Sequence, residues 1–561
     1  MRALCLMLPL AAFPATALAM DYFVGLDGSD SRCNGGAPVG DDGSGNCAWK
    51  TLQHAVDRVA AGDTVYLLPG IHRVDQVTIS ANGSARKRIT IRGTGMNSII
   101  SGAMEVDETL FSRTPGYSSI YEIPYSDLPR RTFDSLRQEV TQLDGTTPWL
   151  GYRADGTRIE LEANYFQGVT SMSQLDLLPK SYLADDSNQT LYIHTSDGQD
   201  PRLHRIEISR PFAHRALTFE NASYVTLYKV TLRHAGVFMQ GTNNNIEVRY
   251  VDAIASSLMT GASMADHDNL VRAVYVHEGL RGVGERVDET TGRVSGGSGC
   301  CSLDVAGVRP ILQQAIIEEM WNAVSTSRGS LEARIERSFF RDCPNHSTYI
   351  DAVNTDLTLL RNHYMRVQDA VYIDGAVGTR VLHNTMEAPV IFQSLKSGIA
   401  PVGTLVVNNI LTGYAVPTGD PIDPYGGGDV RYVDFFADYN FFLPRGGFNQ
   451  TGAVEPVAFQ PAGGAYTRYG LQEWQSMAAA AGRPHDAHSL EADGSPLFVN
   501  WSSDDLRPVE GGITVDAGTP IVTSEFQGVA PDLGADELAG VDPLPGLEPA
   551  DIWGVIRGER Q

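Results

Sequence analysis

Carboxylate and phenol side chains recur at matching positions of three short apolar segments in the middle of the chain. Residues 303–306, 348–351 and 371–374 can be superposed as Leu-Asp-Val-Ala, Thr-Tyr-Ile-Asp and Val-Tyr-Ile-Asp. Side chains alternate between the two faces of a β-strand, so the polar residues share one face if the aliphatic residues point into a core. The alternation therefore predicts an outer face that carries Asp304, Tyr349, Asp351, Tyr372 and Asp374.

Two or three carboxylates on one face suit the hydrolysis of glycosidic bonds. One carboxyl group protonates the leaving oxygen while another attacks the sugar or activates water. Crowding of like charges raises the pKa of one group, which can then serve as the acid. We assign Asp351 and Asp374 as the catalytic pair, with Asp304 assisting. Tyr349 and Tyr372 would offer their ring faces to sugars. The alternative interpretation is a solvated surface on which the tyrosines cover strand edges.

A second column of charged residues follows the second strand of successive repeats. It consists of Arg233-His234, His277-Glu278, Glu318-Glu319, Arg341-Asp342 and Arg366, with His346 just beyond. Such a column can bind substrate, a role we assign to Arg341, Arg366 and His346. It can also supply an alternative acid or base, for which the candidates are His277, Glu278, Glu318, Glu319 and Asp342. Glu318, Glu319 and Asp342 would also suit calcium, which prefers several oxygen ligands, although no cofactor is required. Solvated surface pairs are the competing interpretation, and they contribute little to stability.

The elements that must position these residues repeat along the chain. From residue 225 onward the sequence can be stacked in units of about 20 to 25 residues, each with a short apolar strand, a Gly/Asn turn and a second alternating strand. Asn362, Asn384 and Asn409 then fall at the same turn, where asparagine can bond neighbouring backbone and tolerates a left-handed conformation. Such a repeat buries its apolar face only by stacking on the next one. The pattern predicts an all-β protein, a right-handed parallel β-helix, in which Asp351 and Asp374 lie one coil apart.

Helical patterns occur near the two ends of the predicted β-helix. Apolar residues at helical spacing predict a helix over 49–59, which would cap the N-terminal coils in residues 20–102. The coils loosen over 416–561, where a second helix is predicted at 470–481 before the closing segment.

Two segments interrupt the repeats. Residues 103–213 contain several prolines and aromatic residues and are interpreted as an inserted β-rich subdomain. The main coils over 214–415 contain a Gly-rich insertion at 279–300. A loop of that length in a solenoid walls a binding groove or is disordered.

The N-terminal residues have the features of a secretory signal peptide. Arg2 precedes an apolar run, and Ala17-Leu18-Ala19 offers small residues for cleavage after residue 19. We therefore expect export to the periplasm or the medium. No later segment is apolar over the length that a membrane span needs. In an oxidising compartment Cys33 and Cys47 are expected to form a disulfide.

The remaining cysteines and the overall charge exclude other classes of site. Cys300, Cys301 and Cys343 allow a bridge from one of the adjacent pair to Cys343, a lone buried Cys343, or a bond between neighbours. No C-x-x-C spacing occurs, so no metal site of the zinc type is predicted. The net charge of −24, from 43 basic and 67 acidic residues, argues against nucleic acid as a partner.

Motifs along the chain resemble the pectate-lyase-like β-helix superfamily. The N-terminal motifs lie at residues 21–24, 49–55 and 62–67, and the C-terminal ones at 496–498 and 532–537. The segments before the first full coil, at 191–193 and 206–208, look like secreted bacterial β-helix glycosidases of the β-xylosidase and fucosidase type. The resemblance implies the fold and a polysaccharide or oligosaccharide substrate. The superfamily includes lyases, hydrolases, esterases and epimerases, so the site must decide the activity.

The resemblance also defines the main alternative to hydrolysis. Lyases of the superfamily remove a proton from a uronate with a basic residue, often beside calcium held by clustered aspartates. The matching coil at 318–325 has no such cluster, and the coils after it have no lysine before Lys396. Hydrolysis is therefore the first hypothesis, with Arg328 as a further substrate-binding residue. The alternative is a lyase that uses Arg328, Arg341 or Lys396, and a second alternative is a non-catalytic sugar-binding or adhesin β-helix.

Overall fold

The repeats of the sequence fold into stacked coils in a computed structural model of the chain. The structure describes residues 19–128, 140–143, 164–209, 215–254, 256–277, 286–287, 294–295, 303–318, 320, 322–343, 345–393, 400–416, 435–444, 454–455, 457–459, 467–492, 496–500, 505–520, 526 and 528–537. The predicted signal peptide over 1–18 and most of the 279–300 insertion lie outside the described residues.

Each full coil contributes one strand to each of three faces of the solenoid. In one coil these strands are Leu303–Asp304, Ile311–Gln313 and Ile316–Glu318, and the chain then enters the next coil at Val324–Ser325. All neighbouring strands along a face are parallel over these coils. The predicted parallel β-helix is therefore confirmed. We call the three surfaces the first, second and third face, in this order along the chain.

The first face is a nine-stranded sheet that is preceded by a three-stranded parallel sheet. The strands of the short sheet are Val77–Ile79, Leu217–Glu220 and Val237–Gln240. Those of the long sheet are Leu258–Met259, Leu303–Asp304, Val324–Ser325, His346–Asp351, Asp369–Asp374, Val390–Gln393, Tyr414–Val416, Val457–Phe459 and Thr467–Tyr469.

The second and third faces share three long strands and then separate into two ladders of one sheet. The shared strands are Val225–Arg233, Glu247–Ile254 and Leu270–His277. The second face also contains Asp21–Val24, Thr64–Leu67, Ile89–Gly93, Ile311–Gln313, Arg334–Glu336, Thr358–Leu360, Arg380–Leu382, Thr404–Val407 and Phe435–Asp438. The third face also contains Gly70–Arg73, Ser98–Ser101, Ile316–Glu318, Phe339–Arg341, His363–Met365, Thr385–Met386, Ile410–Leu411, Phe441–Phe442 and Leu490–Glu491.

The predicted asparagine ladder lies at the turn between the second and third faces. The Asn384 side chain accepts from the backbone N–H of Asn362, and the Asn409 side chain accepts from that of Asn384, at 2.9 and 2.8 Å. Asn440 extends the ladder by one more coil. The left-handed conformation at this turn occurs one residue before each ladder asparagine, for example at His383, where φ is 52°. The ladder satisfies buried backbone donors that a sharp turn would otherwise leave unpaired.

Residues between 102 and 216 are inserted between two coils that remain in contact. Ser98–Ser101 pairs directly with Val225–Arg233, which follows the insertion. The insertion forms its own sheets, antiparallel except for the parallel pair Gln167–Gly168 with Ser181–Asp185, and a separate apolar cluster that includes Tyr121, Ile123 and Ile193. Its sheets contain Ala103–Glu105, Ser112–Arg113, Ile120–Pro124, Val140–Leu143, Asn164–Tyr165, Gln167–Gly168, Ser181–Asp185, Thr190–His194 and Arg205–Ser209.

The helices are short and lie near the predicted positions. The N-terminal helix is Leu52–Val56, shorter than the predicted 49–59, and the Thr51 side chain caps its first turn. The C-terminal helix is Leu471–Ala480, and the insertion contains a third, Met172–Leu177. Single 3₁₀ turns lie at Glu108–Leu110, Tyr125–Asp127 and Pro201–Leu203. Within the described ranges no helix has the length and apolar character needed to cross a bilayer.

Three short ladders complete the structure: Gly307–Val308 with Ser330–Leu331, Arg286–Val287 with Val294–Ser295, and Phe498–Asn500 with Asp505–Pro508. The predicted disulfide joins Cys33 to Cys47. Cys343 is a buried free thiol, which agrees with one of the three alternatives for that cysteine. Cys300 and Cys301 lie outside the described residues.

Candidate functional site

The strand register brings the predicted carboxylate and tyrosine residues to one face. Asp351 is the direct partner of Asp374, and Tyr349 is the direct partner of Tyr372, on neighbouring strands of the first face. Asp304 aligns with Ser325 and, through it, with Tyr349 two coils away. Asp304 and Asp351 are therefore diagonal to each other, as the sequence alignment predicts.

Three aromatic rings stack beside these carboxylates. The rings of Tyr349 and Tyr372 are nearly parallel, with centroids 5.2 Å apart. The His346 ring lies 4.2 Å from the Tyr372 ring. Nδ1 of His346 is 2.9 Å from Oδ2 of Asp369, which fixes the orientation of the imidazole. The stack is thus held in place by a carboxylate on the neighbouring coil.

The two paired aspartates differ in their exposure. Asp374 is completely buried, and Tyr349, which is 7% exposed, donates a hydrogen bond from its hydroxyl to Oδ2 of Asp374 at 3.5 Å. Asp351 is half-buried, and its Oδ1 accepts from the N–H of Ala352 at 2.7 Å. Outward direction therefore did not mean solvent contact for Asp374, because the tyrosine stack covers it. Of this pair, Asp351 is the one that solvent reaches.

Asp304 has the most perturbed carboxyl group on the first face within the described residues. Its strand neighbour is Met259, and its side chain is 13% exposed. Burial raises the pKa of the Asp304 carboxyl to about 6, and the Arg328 guanidinium limits the rise. Arg328 donates from Nε to Oδ2 of Asp304 at 2.6 Å, and its guanidinium lies 5.9 Å from the Phe238 ring. Oδ1 of Asp304 is buried and accepts no hydrogen bond among the described residues.

A coil of small side chains separates Asp304 from the tyrosine stack. Ser325 occupies the ladder position between Asp304 and Tyr349. Ser327, two residues further on, is exposed and donates its N–H to the Ser325 hydroxyl. Ser325 itself is only 1% exposed. Asp304 lies on one side of this coil, and Tyr349 and Asp351 lie on the other.

The second predicted column occupies the ends of third-face strands, and much of it is buried. His277 lies 3.0 Å from Asp252 and stacks on Tyr275 at 4.0 Å. Glu318 accepts from the Tyr275 hydroxyl and from Arg341. The expectation of a solvated turn surface is therefore wrong for His277 and Glu318, since packed side chains surround both.

Arg233 marks the point where the inserted segment covers the third face. It is completely buried and donates to Glu207, which also accepts from Arg73 at 2.5 Å. Burial by itself would raise the pKa of the Glu207 carboxyl, but the attraction of Arg233 and Arg73 outweighs it and lowers that pKa. Glu207 belongs to the strand Arg205–Ser209, so this ion-pair network joins the insertion to the solenoid.

The exposed members of the column form surface pairs. Arg366 binds Asp342 with Nε at 2.8 Å from Oδ1, and both side chains are exposed. Asp342 and Glu318, two of the three candidate calcium ligands, are thus each bonded to an arginine. Among the described residues, Cys33, Asp41 and Cys47 form the one group of three potential metal ligands, and its cysteines are joined in the disulfide. Glu278, Glu319 and Lys396 lie outside the described residues.

Sequence reasoning missed several residues of these two faces. Asp369 follows His346 by 23 residues, the spacing that also relates Tyr349 to Tyr372 and Asp351 to Asp374, so the repeat length alone could have found it. Phe238, Glu207 and Asp252 gave no comparable signal, because their partners come from other coils or from the insertion.

Comparisons with known proteins return solved structures that include pectate and alginate lyases. No protein-family model matches the chain, and no curated protein does. The crystal structure of pectate lyase Pel9A is 12% identical, covers 93% of this chain and 97% of its own, and has a TM-score of 0.46. The complex of XylC with xylose is 11% identical, with coverages of 79% and 86% and a TM-score of 0.40. An alginate lyase from Paenibacillus sp. str. FPU-7 is 12% identical, with coverages of 68% and 94% and a TM-score of 0.32. The β-helix assignment itself rests on the strand pairing described above.

Proposed function

We propose that this protein is a secreted glycoside hydrolase that cleaves a polysaccharide or oligosaccharide on the first face of the β-helix. Asp304 donates a proton to the leaving oxygen, and Asp351 is the carboxylate that acts from the other side of the Ser325 coil. Tyr349 and Tyr372 offer their rings to a sugar. Asp374 and Asp369 are positioning residues that hold Tyr349 and His346.

The observation that carries the proposal is the environment of Asp304. A general acid must be protonated at the pH at which it acts. Asp304 packs beside Met259, its Oδ2 accepts from Arg328, and its Oδ1 is buried without a hydrogen-bond partner among the described residues. With a pKa of about 6, the carboxyl group carries its proton in a substantial fraction of molecules at mildly acidic pH.

The spacing of the carboxylates favours inversion at the anomeric carbon. The backbone positions of Asp304 and Asp351 are two coils apart, about 9.6 Å along the axis, and two residues or about 6.6 Å apart along the strand, so they lie about 12 Å apart on the diagonal. Retaining enzymes need carboxyl groups about 5–5.5 Å apart, whereas inverting enzymes need a wider separation, because a water molecule must fit between the sugar and the base. Asp351 and Asp374, one coil or about 4.8 Å apart, have a spacing nearer that of retaining enzymes, but Asp374 is covered.

The basic residues of the lyase alternative are engaged elsewhere. Arg328 donates to Asp304, and Arg341 donates to Glu318. Arg341 also lies on the third face, away from the tyrosine stack. Proton abstraction from a uronate requires a base that is close to the sugar, and neither arginine offers one in this arrangement. Lys396 lies outside the described residues.

Export to the periplasm or medium is part of the proposal. The disulfide between Cys33 and Cys47 is of the kind that persists in oxidising compartments. The sequence pattern at residues 1–19 supplies the targeting signal.

The test is an assay of the mature protein on neutral and uronate polysaccharides. Reducing ends and the ultraviolet absorbance of unsaturated ends are followed in the same tubes, and the anomer first released is identified by NMR. We expect reducing ends without absorbance, and an inverted product. Absorbance that rises with the reducing ends would establish β-elimination instead, and a retained anomer would move the mechanism to the Asp351–Asp374 pair.

A further inference from the structure

A row of aromatic and arginine side chains lies along the second face at the N-terminal end of the solenoid. The strand register places one member on each of six successive strands, in the order Phe23, Tyr66, Arg92, Tyr228, Arg249 and Arg272. All six residues are partly exposed, between buried aliphatic neighbours on the same strands. The row is five coil steps long, about 24 Å. We call it the arginine row.

Aromatic rings hold the guanidinium groups of the row in place. The Arg92 guanidinium lies over the Tyr66 ring at 5.3 Å and over the Tyr228 ring at 5.1 Å. The Arg249 guanidinium lies over the Tyr228 ring at 5.1 Å, and Phe23 stacks on Tyr66 at 5.3 Å. Rings attract a guanidinium group through its flat faces. A ligand would therefore bind at the N–H edges that the rings leave uncovered.

Arginines further along the second face are paired with carboxylates. Arg334 forms an ion pair with Glu336 on the same strand, and Arg380 lies 3.7 Å from Asp356 on the preceding coil. The positive charge of these arginines is thus offset by a neighbouring side chain.

The arginine row is less completely neutralised. Among the ion pairs of the described residues, Glu247 is the one carboxylate that contacts a member of the row, at 3.4 Å from Arg249. The Arg92 guanidinium makes no hydrogen bond or ion pair with a described residue. Arg272 donates to the neutral side-chain amide of Gln314 at 3.0 Å. The row therefore carries net positive charge on a chain whose net charge is −24.

We infer that the arginine row is a binding surface for an acidic polysaccharide, separate from the site proposed on the first face. Guanidinium groups bind carboxylates through two parallel hydrogen bonds. Arg92 and Arg249, two coils or about 9.6 Å apart, would each bind one uronate carboxylate. The hydroxyls of Tyr66 and Tyr228 make no hydrogen bond with a described residue and would bond to sugar hydroxyl groups. The surface would hold the protein on an acidic polymer, whatever bond the first face cleaves.

A uronate polymer suits the row better than nucleic acid does. Binding to nucleic acid depends on the neutralisation of many closely spaced phosphates, whereas the row offers three arginines. The acidic remainder of the chain would also repel so dense a polyanion. A polymer with one carboxylate per sugar matches a few separated guanidinium groups.

The experiment measures by calorimetry the binding of a galacturonate hexasaccharide to the full chain carrying Asp304→Asn, so that the ligand is not consumed. We expect Arg92→Gln and Arg249→Gln each to weaken binding about tenfold, as for the loss of a hydrogen bond to a charged group. Arg92→Lys should weaken it as well, because an ammonium group lacks the planar fork. Raising the ionic strength should reduce the affinity.

Arg380→Gln is the matched control, because it removes the same charge from an outward position of the same face, where the side chain is 48% exposed. It should bind the hexasaccharide as tightly as the parent chain. Xylohexaose and a single-stranded oligonucleotide are the comparison ligands, and both should bind more weakly than the galacturonate hexasaccharide.

The inference would be overturned by an unchanged affinity in both Arg92→Gln and Arg249→Gln, by an equal loss in Arg380→Gln, or by tighter binding of either comparison ligand. The proposed function is tested separately, by product formation in the wild-type protein. Row variants that lose hexasaccharide binding while the wild type releases no product would keep the surface and remove the hydrolase.

Discussion

The first and third faces place charged side chains at equivalent outward positions, yet they treat those charges in opposite ways. On the third face, Arg233 is completely buried and bonded to Glu207 of the insertion, which is also completely buried. On the first face, Asp304 keeps some exposure and one unbonded oxygen, and Asp351 remains half-buried. The pKa of Glu207 is lowered while that of Asp304 is raised. An outward charge thus takes part in an ion-pair network where a second layer covers it, and stays partly exposed where no such layer is described.

The covering layer comes from distant parts of the chain. The strand Arg205–Ser209 lies over Arg233, and residues of the C-terminal segment, among them Phe498 and Leu533, pack on Tyr275 and Phe339. The insertion after Ser98–Ser101 leaves the solenoid on the third face, and the chain re-enters it on the first face at Leu217–Glu220.

The largest expected effect is a loss of activity when Asp304 on the first face is changed. Asp304→Asn keeps the shape of the side chain but removes the proton donor, so we expect kcat to fall about 10²- to 10⁴-fold, measured on the polysaccharide that the assay identifies. The free energy of unfolding at neutral pH should not fall, because the variant relieves the burial of a charge. Asp268→Asn, which breaks an exposed pair with Arg309, is the matched control and should keep full activity. Equal activity in both variants would remove Asp304 from the site.

A change at the third face, which the insertion covers, should reduce stability and leave activity unchanged. Glu207→Ala leaves Arg233 and Arg73 without their shared buried partner, which we expect to cost about 3–5 kcal/mol of unfolding free energy in denaturant titrations. The folded fraction should turn over substrate at the normal rate. Glu105→Ala removes the exposed partner of Arg73 and should cost at most about 1 kcal/mol. If the two variants are equally stable, the buried network does not hold the insertion to the solenoid.

A smaller effect is that the stability contributed by Asp304 and by Glu207 should depend on pH in opposite ways. Because the Asp304 pKa is raised from 3.8 to about 6 in the folded state, its contribution to stability is complete below pH 3.8 and is lost as the pH rises towards 6. The lowered pKa of Glu207 acts in the other direction, and its contribution is lost as the pH falls below the ordinary value of 4.5. Asp304→Asn and Glu207→Gln should therefore change the slope of the free energy of unfolding against pH in opposite directions. Parallel profiles for the two variants would contradict the comparison.

Features that depend on the repeat itself could be predicted from the sequence. The superposition of 348–351 on 371–374 gave the correct strand register, and the asparagines at 362, 384 and 409 gave the turn. Both follow from local pattern, because each coil pairs with the next one along the chain. A one-residue slip would have exchanged the inner and outer faces, and the aliphatic residues exclude it.

Burial could not be predicted in the same way. The alternation of side chains predicts that Asp374 and His277 point outward. It does not predict that Asp374 is completely buried beside Tyr349. Nor does it predict that Tyr275 and Asp252 contact His277. The raised pKa of Asp304 likewise depends on burial, and its extent is limited by Arg328 from the following coil. The repeat length predicts where a residue lies in the solenoid. The burial and the pKa of that residue depend on the residues that neighbouring coils place around it.

The pH dependence of kcat/KM tests the role of Asp304 most directly. A general acid acts only while protonated, so activity should fall as the pH rises through about 6. The Arg328 guanidinium lowers the pKa of that carboxyl, and Arg328→Gln should therefore move the fall in activity to higher pH. A profile whose alkaline limb is the same in the wild type and in Arg328→Gln would contradict the assignment of Asp304 as the acid.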